Sequence, residues 1–106
     1  MQYFPLFADL KGRAVLLVGA GEVATRKAES LLQAGADIRV VARELAPAFL
    51  DWQNEGRIQW LAREFHPAHL QDVFLVVSAT GDAEVDSQVF KAAQARHLLC
   101  NTVDDP

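Results

Sequence analysis

The chain has 106 residues, of which 51% are hydrophobic, and its 10 Lys and Arg against 14 Asp and Glu give a formal net charge of −4. This length supports one domain with a core, and the apolar content excludes a disordered chain. The acidic balance argues against a protein that reads nucleic acid, which would carry a basic stripe. Cys100 is the sole cysteine, which excludes an internal disulfide framework and a cysteine-based zinc cluster.

Apolar runs along the chain are short. None reaches the roughly 18 to 20 residues that a bilayer-spanning helix needs. The start, Met1-Gln2-Tyr3-Phe4-Pro5, has no basic region followed by a hydrophobic segment. We therefore expect a cytoplasmic protein without a membrane partner.

Strands and helices alternate in the first half of the sequence. Residues 14–18 form a continuous apolar run, which is typical of a strand buried on both faces. A helix is predicted over 22–34, where apolar residues recur on one face before Gly35. The β-branched segment 37–42 predicts a second strand, and a second helix is expected from about 45 to 55, with Pro47 in its first turn.

The second half continues the alternation. Residues 57–61 alternate polar and apolar and predict a more exposed strand, and 63–71 predicts a loop with one helical turn. The apolar run 73–78 predicts a second fully buried strand. A helix over 82–96 and a last strand over 97–102 complete the series.

This order of elements predicts an α/β fold of the Rossmann type, a doubly wound parallel sheet with helices on both faces. The first and fourth strands are the most apolar, so we expect them in the centre and predict the spatial order 3-2-1-4-5 for the five strands. Ligands bind such sheets at the carboxyl ends of the strands, at the switch point that lies here between strands one and four.

A G-x-G-x-x-A motif stands at that switch point. Gly19 permits a tight turn and Gly21 lets a pyrophosphate approach the backbone, while the small Ala24 allows close packing of helix on sheet. The unpaired N–H groups at Glu22 and Val23 would hold the phosphates. In this strand-turn-helix context the motif predicts dinucleotide binding, and a bare structural turn is the alternative.

The tip of the second strand is unusual, because the acid that normally binds the adenosine ribose there is missing or displaced to Glu44. Arg43 stands in its place. It could meet the 2′-phosphate of NADP, stack beside the adenine, or be a solvated loop arginine. The residues alone therefore leave the choice between NAD and NADP open.

The tips of strands four and five supply further candidates. Thr80 and Gly81 are small and leave room for the nicotinamide ribose, although the next residue, Asp82, is also a candidate helix N-cap. Asn101 and Asp104 follow on the same edge of the sheet. A carboxylate at Asp104 could take a proton from a substrate whose hydride leaves for the nicotinamide, and a solvated loop aspartate is the alternative.

Histidines give no sign of a metal centre. His66, His69 and His97 are not spaced as ligands on one element, so surface or packing roles are expected and no metal ligands are predicted.

Taken together, these segments resemble the N-terminal part of siroheme synthases, across essentially all 106 residues. The pairing of G-x-G-x-x-A-x-R-K-A with N-x-V-D-x-P is far more specific than the glycines alone. The residues that carry the resemblance are Phe4-Pro5-Leu6-Phe7, Val15-Leu16-Leu17-Val18-Gly19-Ala20-Gly21-Glu22-Val23-Ala24, Arg26-Lys27-Ala28, Ala79-Thr80-Gly81-Asp82 and Cys100-Asn101-Thr102-Val103-Asp104-Asp105-Pro106.

The resemblance implies an enzyme that oxidises precorrin-2 with NAD and then inserts ferrous iron into sirohydrochlorin to make siroheme. In fused members a C-terminal domain methylates uroporphyrinogen III with S-adenosylmethionine. The family's cofactor contacts fall on Glu22, Val23, Arg43 and Glu44. Its catalytic aspartate falls on Asp104, as general base in the oxidation and proton acceptor in metal insertion.

The resemblance also implies that residues 1–106 are the NAD-binding domain of a longer, homodimeric chain, with dimerisation and helical domains beyond Pro106. Members use NAD without the usual acid at strand two, although Arg43-Glu44 leaves NADP open here. The tetrapyrrole substrate is an octacarboxylate, so it needs cationic contacts that a domain of net charge −4 supplies poorly. A nucleotide-sensing regulatory module, or the cofactor domain of an unrelated dehydrogenase, are the alternatives.

Overall fold

The structure is a computed structural model that describes residues 10–102. Every predicted strand and helix is present. In chain order they are β1 (Ala14–Val18), α1 (Glu22–Gln33), β2 (Asp37–Val41), α2 (Pro47–Asn54), β3 (Ile58–Ala62), a 3-10 turn (Pro67–Leu70), β4 (Leu75–Ser78), α3 (Ala83–Ala95) and β5 (Leu99–Thr102).

The sheet has five parallel strands in the order β3-β2-β1-β4-β5. This confirms the predicted topology and the switch point between β1 and β4. In the register, Val18 at the end of β1 lies opposite Val41 of β2 and Ser78 of β4. The carboxyl ends of the three central strands therefore lie side by side at one edge.

Two apolar cores cover the two faces of the sheet, as the doubly wound fold requires. On one face, Leu17 of β1 packs with Leu31 of α1 and Phe49 of α2, and all three are fully buried. On the other face, Leu16 packs with Val89 of α3. Because neighbouring residues of a strand point to opposite faces, β1 contributes to both cores and is inaccessible along nearly its whole length.

The ends of the elements differ from the predicted ones by one to two residues. Helix α2 begins at Pro47 because a residue that precedes proline is driven out of the helical region, and Ala46 is extended with φ −62° and ψ 160°. Strand β3 ends one residue later than predicted, at Ala62, because the β2–β3 register shifts between Val40 and Val41 and leaves Leu61 opposite no residue of β2.

Within the described range 10–102, no helix has the length and apolar character to cross a membrane.

Candidate functional site

A cleft of about 390 Å³ opens at the carboxyl edge of the sheet, between the turns that follow β1, β2, β3 and β4. Its position is the one that the switch point predicts. Eight of the residues selected from the sequence line it, namely Gly19, Gly21, Glu22, Val23, Arg43, Glu44, Thr80 and Gly81.

Gly19 packs the turn after β1 against the turn after β4. Its φ is +111°, and a Cβ built on it would lie 2.4 Å from the carbonyl oxygen of Ala79. Its N–H donates to the carbonyl of Val41 at 2.8 Å. No side chain fits at this point, so the tight turn predicted from the motif needs glycine for both its dihedral angle and its close contact.

Gly21 faces open space instead. It is the N-cap of α1, with φ −94° and no side-chain capping bond, and no atom lies within 4 Å of where its Cβ would be. The first N–H groups of a helix have no partner within the helix, and here they border the cleft at Glu22 and Val23. Space, free donors and the positive end of the helix dipole together fit a pyrophosphate.

At the β2 side of the cleft, Arg43 forms an ion pair with Glu64, a residue that the sequence pattern does not single out. Arg43 Nε donates to Glu64 Oε2 at 2.7 Å and Nη2 donates to Oε1 at 3.3 Å. These bonds raise the pKa of Arg43 and lower the pKa of the Glu64 carboxyl. Both side chains are largely exposed, at 72% and 69%, and both line the cleft. Arg43 is therefore neither stacked nor free here, but paired.

Trp60 ties the strands below this ion pair together. Its indole Nε1 donates to the carbonyls of Ala42 at 2.9 Å and Ala62 at 3.0 Å. Those two residues come directly before Arg43 and Arg63. The indole thus fixes the spacing of the β2 and β3 ends, which carry the two arms of the ion pair.

The turn after β4 contains Thr80 and Gly81, and Gly81 has a φ of +75° with open space at its Cβ position. Asp82 caps α3, as the alternative for this residue predicted, because its Oδ1 accepts from the N–H groups of Glu84 at 3.0 Å and Val85 at 3.4 Å.

Asp86 is the second residue that the sequence pattern left unselected. It lies on α3 with only 9% exposure, and its Oδ1 accepts from Ser78 Oγ at 2.6 Å and Thr80 Oγ1 at 2.7 Å. The carboxylate thereby fixes the orientation of Thr80, which lines the cleft. A signal was available, because Asp86 shares one helix stripe with the buried Val89 and Ala93.

Strand β5 lies beside β4, with Thr102 opposite Ser78. Asn101 is half-buried on it and is not among the residues that line the cleft. Cys100 is also half-buried, and desolvation raises the pKa of its thiol. The predicted catalytic residue Asp104 lies outside the described residues, so its role stays a prediction.

The described residues hold no group of three or more His, Cys, Asp or Glu side chains arranged for a metal ion. His66 and His69 instead close the 3-10 turn, since each ring accepts a hydrogen bond from a backbone N–H of that turn.

Comparison with known proteins places this site in a family. Residues 6–106 match the family model described as "Putative NAD(P)-binding". The chain belongs to this NAD(P)-binding family. Two of its relatives are siroheme synthase from Sodalis glossinidius, 53% identical, and siroheme synthase 1 from Yersinia enterocolitica, 54% identical, each over 105 residues. Both alignments cover 99% of this chain and 22% of the relative.

Solved structures agree with the family. The chain is similar to SirC, a precorrin-2 dehydrogenase, with a TM-score of 0.79 and 32% identity over 98% of this chain and 52% of that one. A component of dipicolinate synthase from Bacillus halodurans, at 19% identity and a TM-score of 0.57, is matched over 93% of this chain and 40% of its own and shows the shared fold alone.

These findings confirm the resemblance to siroheme synthases and the Rossmann-type fold. The chain spans about a fifth of the length of the siroheme synthases that it matches, 22% in each case.

Proposed function

We propose that this chain is the NAD-binding domain of a siroheme synthase that oxidises precorrin-2 to sirohydrochlorin. The observation that carries the proposal is the glycine turn and uncapped start of α1 beside an open cleft, in a chain 53% and 54% identical to siroheme synthases. The similarity to SirC, a precorrin-2 dehydrogenase, supports the same reaction.

In this proposal each turn at the cleft has one task. The N–H groups at the start of α1, at Glu22 and Val23, bind the pyrophosphate, and Gly21 leaves the space for it. Arg43 and Glu44 contact the adenosine end, and the turn with Thr80 and Gly81 receives the nicotinamide ribose. When bound, NAD supplies the hydride acceptor for the oxidation.

Asp104 is the proposed general base. Oxidation of the substrate removes a hydride and a proton, and a carboxylate beside the nicotinamide end accepts the proton. Its place in the chain supports this role, because Thr102 ends β5 opposite Ser78 of β4 and Asp104 follows two residues later. Asn101, on the same strand, is proposed to contact the cofactor or the substrate near that end.

The family resemblance extends the proposal to the whole protein. Residues 1–106 would be one domain of a longer cytoplasmic homodimer that also inserts ferrous iron, as a substrate, into sirohydrochlorin. A C-terminal domain, where one follows, would methylate uroporphyrinogen III with S-adenosylmethionine. Cationic residues elsewhere in the protein would bind the tetrapyrrole carboxylates, since this domain carries a net charge of −4.

The test uses the full-length protein with Asp104→Ala and Asp104→Asn, and the neighbouring Asp105→Ala as matched control. We expect precorrin-2 oxidation to fall by about 10²-fold or more in both Asp104 variants, since general base catalysis contributes about that much. The NAD dissociation constant, measured by isothermal titration, should stay within about twofold.

Two results would contradict the proposal in different ways. Normal turnover in Asp104→Ala would remove this residue from the mechanism while leaving the cofactor site intact. Absence of heat at millimolar NAD, with folded wild-type protein, would instead refute the binding of the cofactor by this cleft.

A further inference from the structure

The ion pair of Arg43 and Glu64 stands at the place where Rossmann domains choose between NAD and NADP. An acid after the second strand binds the ribose 2′-hydroxyl of NAD, and an arginine there accommodates the 2′-phosphate of NADP. Arg43 follows β2 directly after Ala42, so by position alone it would favour NADP.

The structure occupies that arginine from another strand. Glu64, two residues after the end of β3, meets Arg43 through two donors, with distances of 2.7 Å and 3.3 Å. A two-point contact of this kind aligns the planes of guanidinium and carboxylate. It leaves a negative charge on the cleft lining from residue 64, where the usual acid of strand two is absent.

Charges around the pair are balanced. Arg43 and Arg63 line this part of the cleft together with Glu44 and Glu64. A 2′-phosphate would therefore have to displace Glu64 from Arg43 or lie beside its carboxylate. Each alternative carries an electrostatic cost that the uncharged 2′-hydroxyl of NAD does not meet.

We propose that Glu64 sets the cofactor preference of this protein, by holding Arg43 in an ion pair and so disfavouring the 2′-phosphate of NADP. The inference rests on the proposed binding of a dinucleotide in the cleft. It assigns a specificity role to a residue of the β3 end, outside the fingerprint of the first two strands.

The experiment measures the dissociation constants of NAD⁺ and NADP⁺ for the full-length protein by isothermal titration at low and at physiological salt. The wild type should bind NAD⁺ more tightly. In Glu64→Gln, the ratio of NADP⁺ affinity to NAD⁺ affinity should rise about tenfold, since a like charge beside the phosphate is removed and Arg43 is released. The rise should be smaller at the higher salt, because both groups are exposed.

Two variants make the test specific. The double variant Glu64→Gln with Arg43→Gln should return the ratio towards the wild-type value, because the released arginine is the proposed phosphate ligand. Glu55→Gln is the matched control: Glu55 is an exposed partner of Arg57, 3.6 Å away, and it does not line the cleft. Its ratio should equal that of the wild type.

Several outcomes would overturn the proposal. A wild type that prefers NADP⁺, a ratio in Glu64→Gln within about twofold of the wild type, or a rise that survives the loss of Arg43 each refutes the role of this ion pair while dinucleotide binding stands. A folded wild type that binds neither cofactor refutes the proposed function itself, and the inference with it.

Discussion

Gly19 and Gly21 stand two residues apart in one turn and are glycines for different reasons. At Gly19 a side chain would collide with the backbone of Ala79, and the left-handed φ of +111° adds strain. At Gly21 the φ of −94° suits any residue, and the space beside it is open. Gly19 therefore serves the folded chain, whereas Gly21 serves the ligand.

This contrast predicts opposite results for two alanine substitutions. Gly19→Ala should lower the free energy of unfolding by about 2 to 4 kcal/mol, from overpacking and backbone strain. Gly21→Ala should change it by no more than about 1 kcal/mol, but should weaken NAD binding about tenfold or more, because the methyl group occupies the place of the phosphates. Urea unfolding and calorimetric titration measure the two quantities, and equal loss of stability in both variants would contradict the assignment.

At the scale of elements, β4 and α3 are held together by one carboxylate as well as by their connecting turn. Asp86 on α3 accepts from Ser78 in β4 and from Thr80 in the turn, so it spans strand, turn and helix. Because the carboxylate is buried, its removal leaves two hydroxyl groups without their acceptor. The orientation of the turn at the cleft therefore depends on a side chain that does not line the cleft.

Asp86→Ala should lower the free energy of unfolding by about 2 kcal/mol, the scale of hydrogen bonds to a charged group. Asp86→Asn keeps an acceptor oxygen and should cost roughly half as much. The matched control is Asp51→Ala, an exposed aspartate of α2, with an expected change of about 0.5 kcal/mol or less. Chemical denaturation of the three variants tests this, and equal values for Asp86→Ala and Asp51→Ala would contradict a role for the network.

The strands, helices and their order could be predicted from the sequence because they follow from local pattern. The apolar run of β1, the stripe of α1 and the Gly19-x-Gly21 turn are each contained in a few neighbouring residues. The partner of Arg43 could not be predicted, since Glu64 lies 21 residues away and reaches it only through the register of β2 and β3. Asp86 gave a weak signal as a polar residue on an apolar stripe, but its partners depend on the packing of α3 against β4.

At the scale of the whole molecule, the cleft is built from turns that belong to both faces of the sheet. Helices α1 and α2 pack on one face with Leu31 and Phe49, and α3 packs on the other with Val89. A ligand that contacts the turns after β1, β2 and β4 thus bridges strands covered by both cores. Binding to such a site stabilises the native state as a unit, since the unfolded chain has no cleft.

NAD should therefore raise the melting temperature of this chain. At a concentration a hundred times the dissociation constant, linkage gives about 2.7 kcal/mol, which for a domain of this size corresponds to roughly 10 to 20 °C. Thermal unfolding followed by circular dichroism over a series of NAD concentrations checks this, with Gly21→Ala as the variant that should show a much smaller shift at equal concentration. A melting temperature independent of NAD up to millimolar concentration would contradict the prediction.

Trp60 gives the cleft an intrinsic optical probe. Its indole N–H is shared between the carbonyls of Ala42 and Ala62, one bond along the chain from Arg43 and Arg63. Indole emission responds to the polarity and hydrogen bonding around the ring, so any displacement of these two strand ends by a bound nucleotide changes its wavelength or intensity. The second tryptophan, Trp52, packs edge-on against Phe49 with ring centroids 5.1 Å apart and does not line the cleft. Fluorescence titration of a Trp52→Phe variant would thus follow the adenosine end of the site in real time, without any attached label.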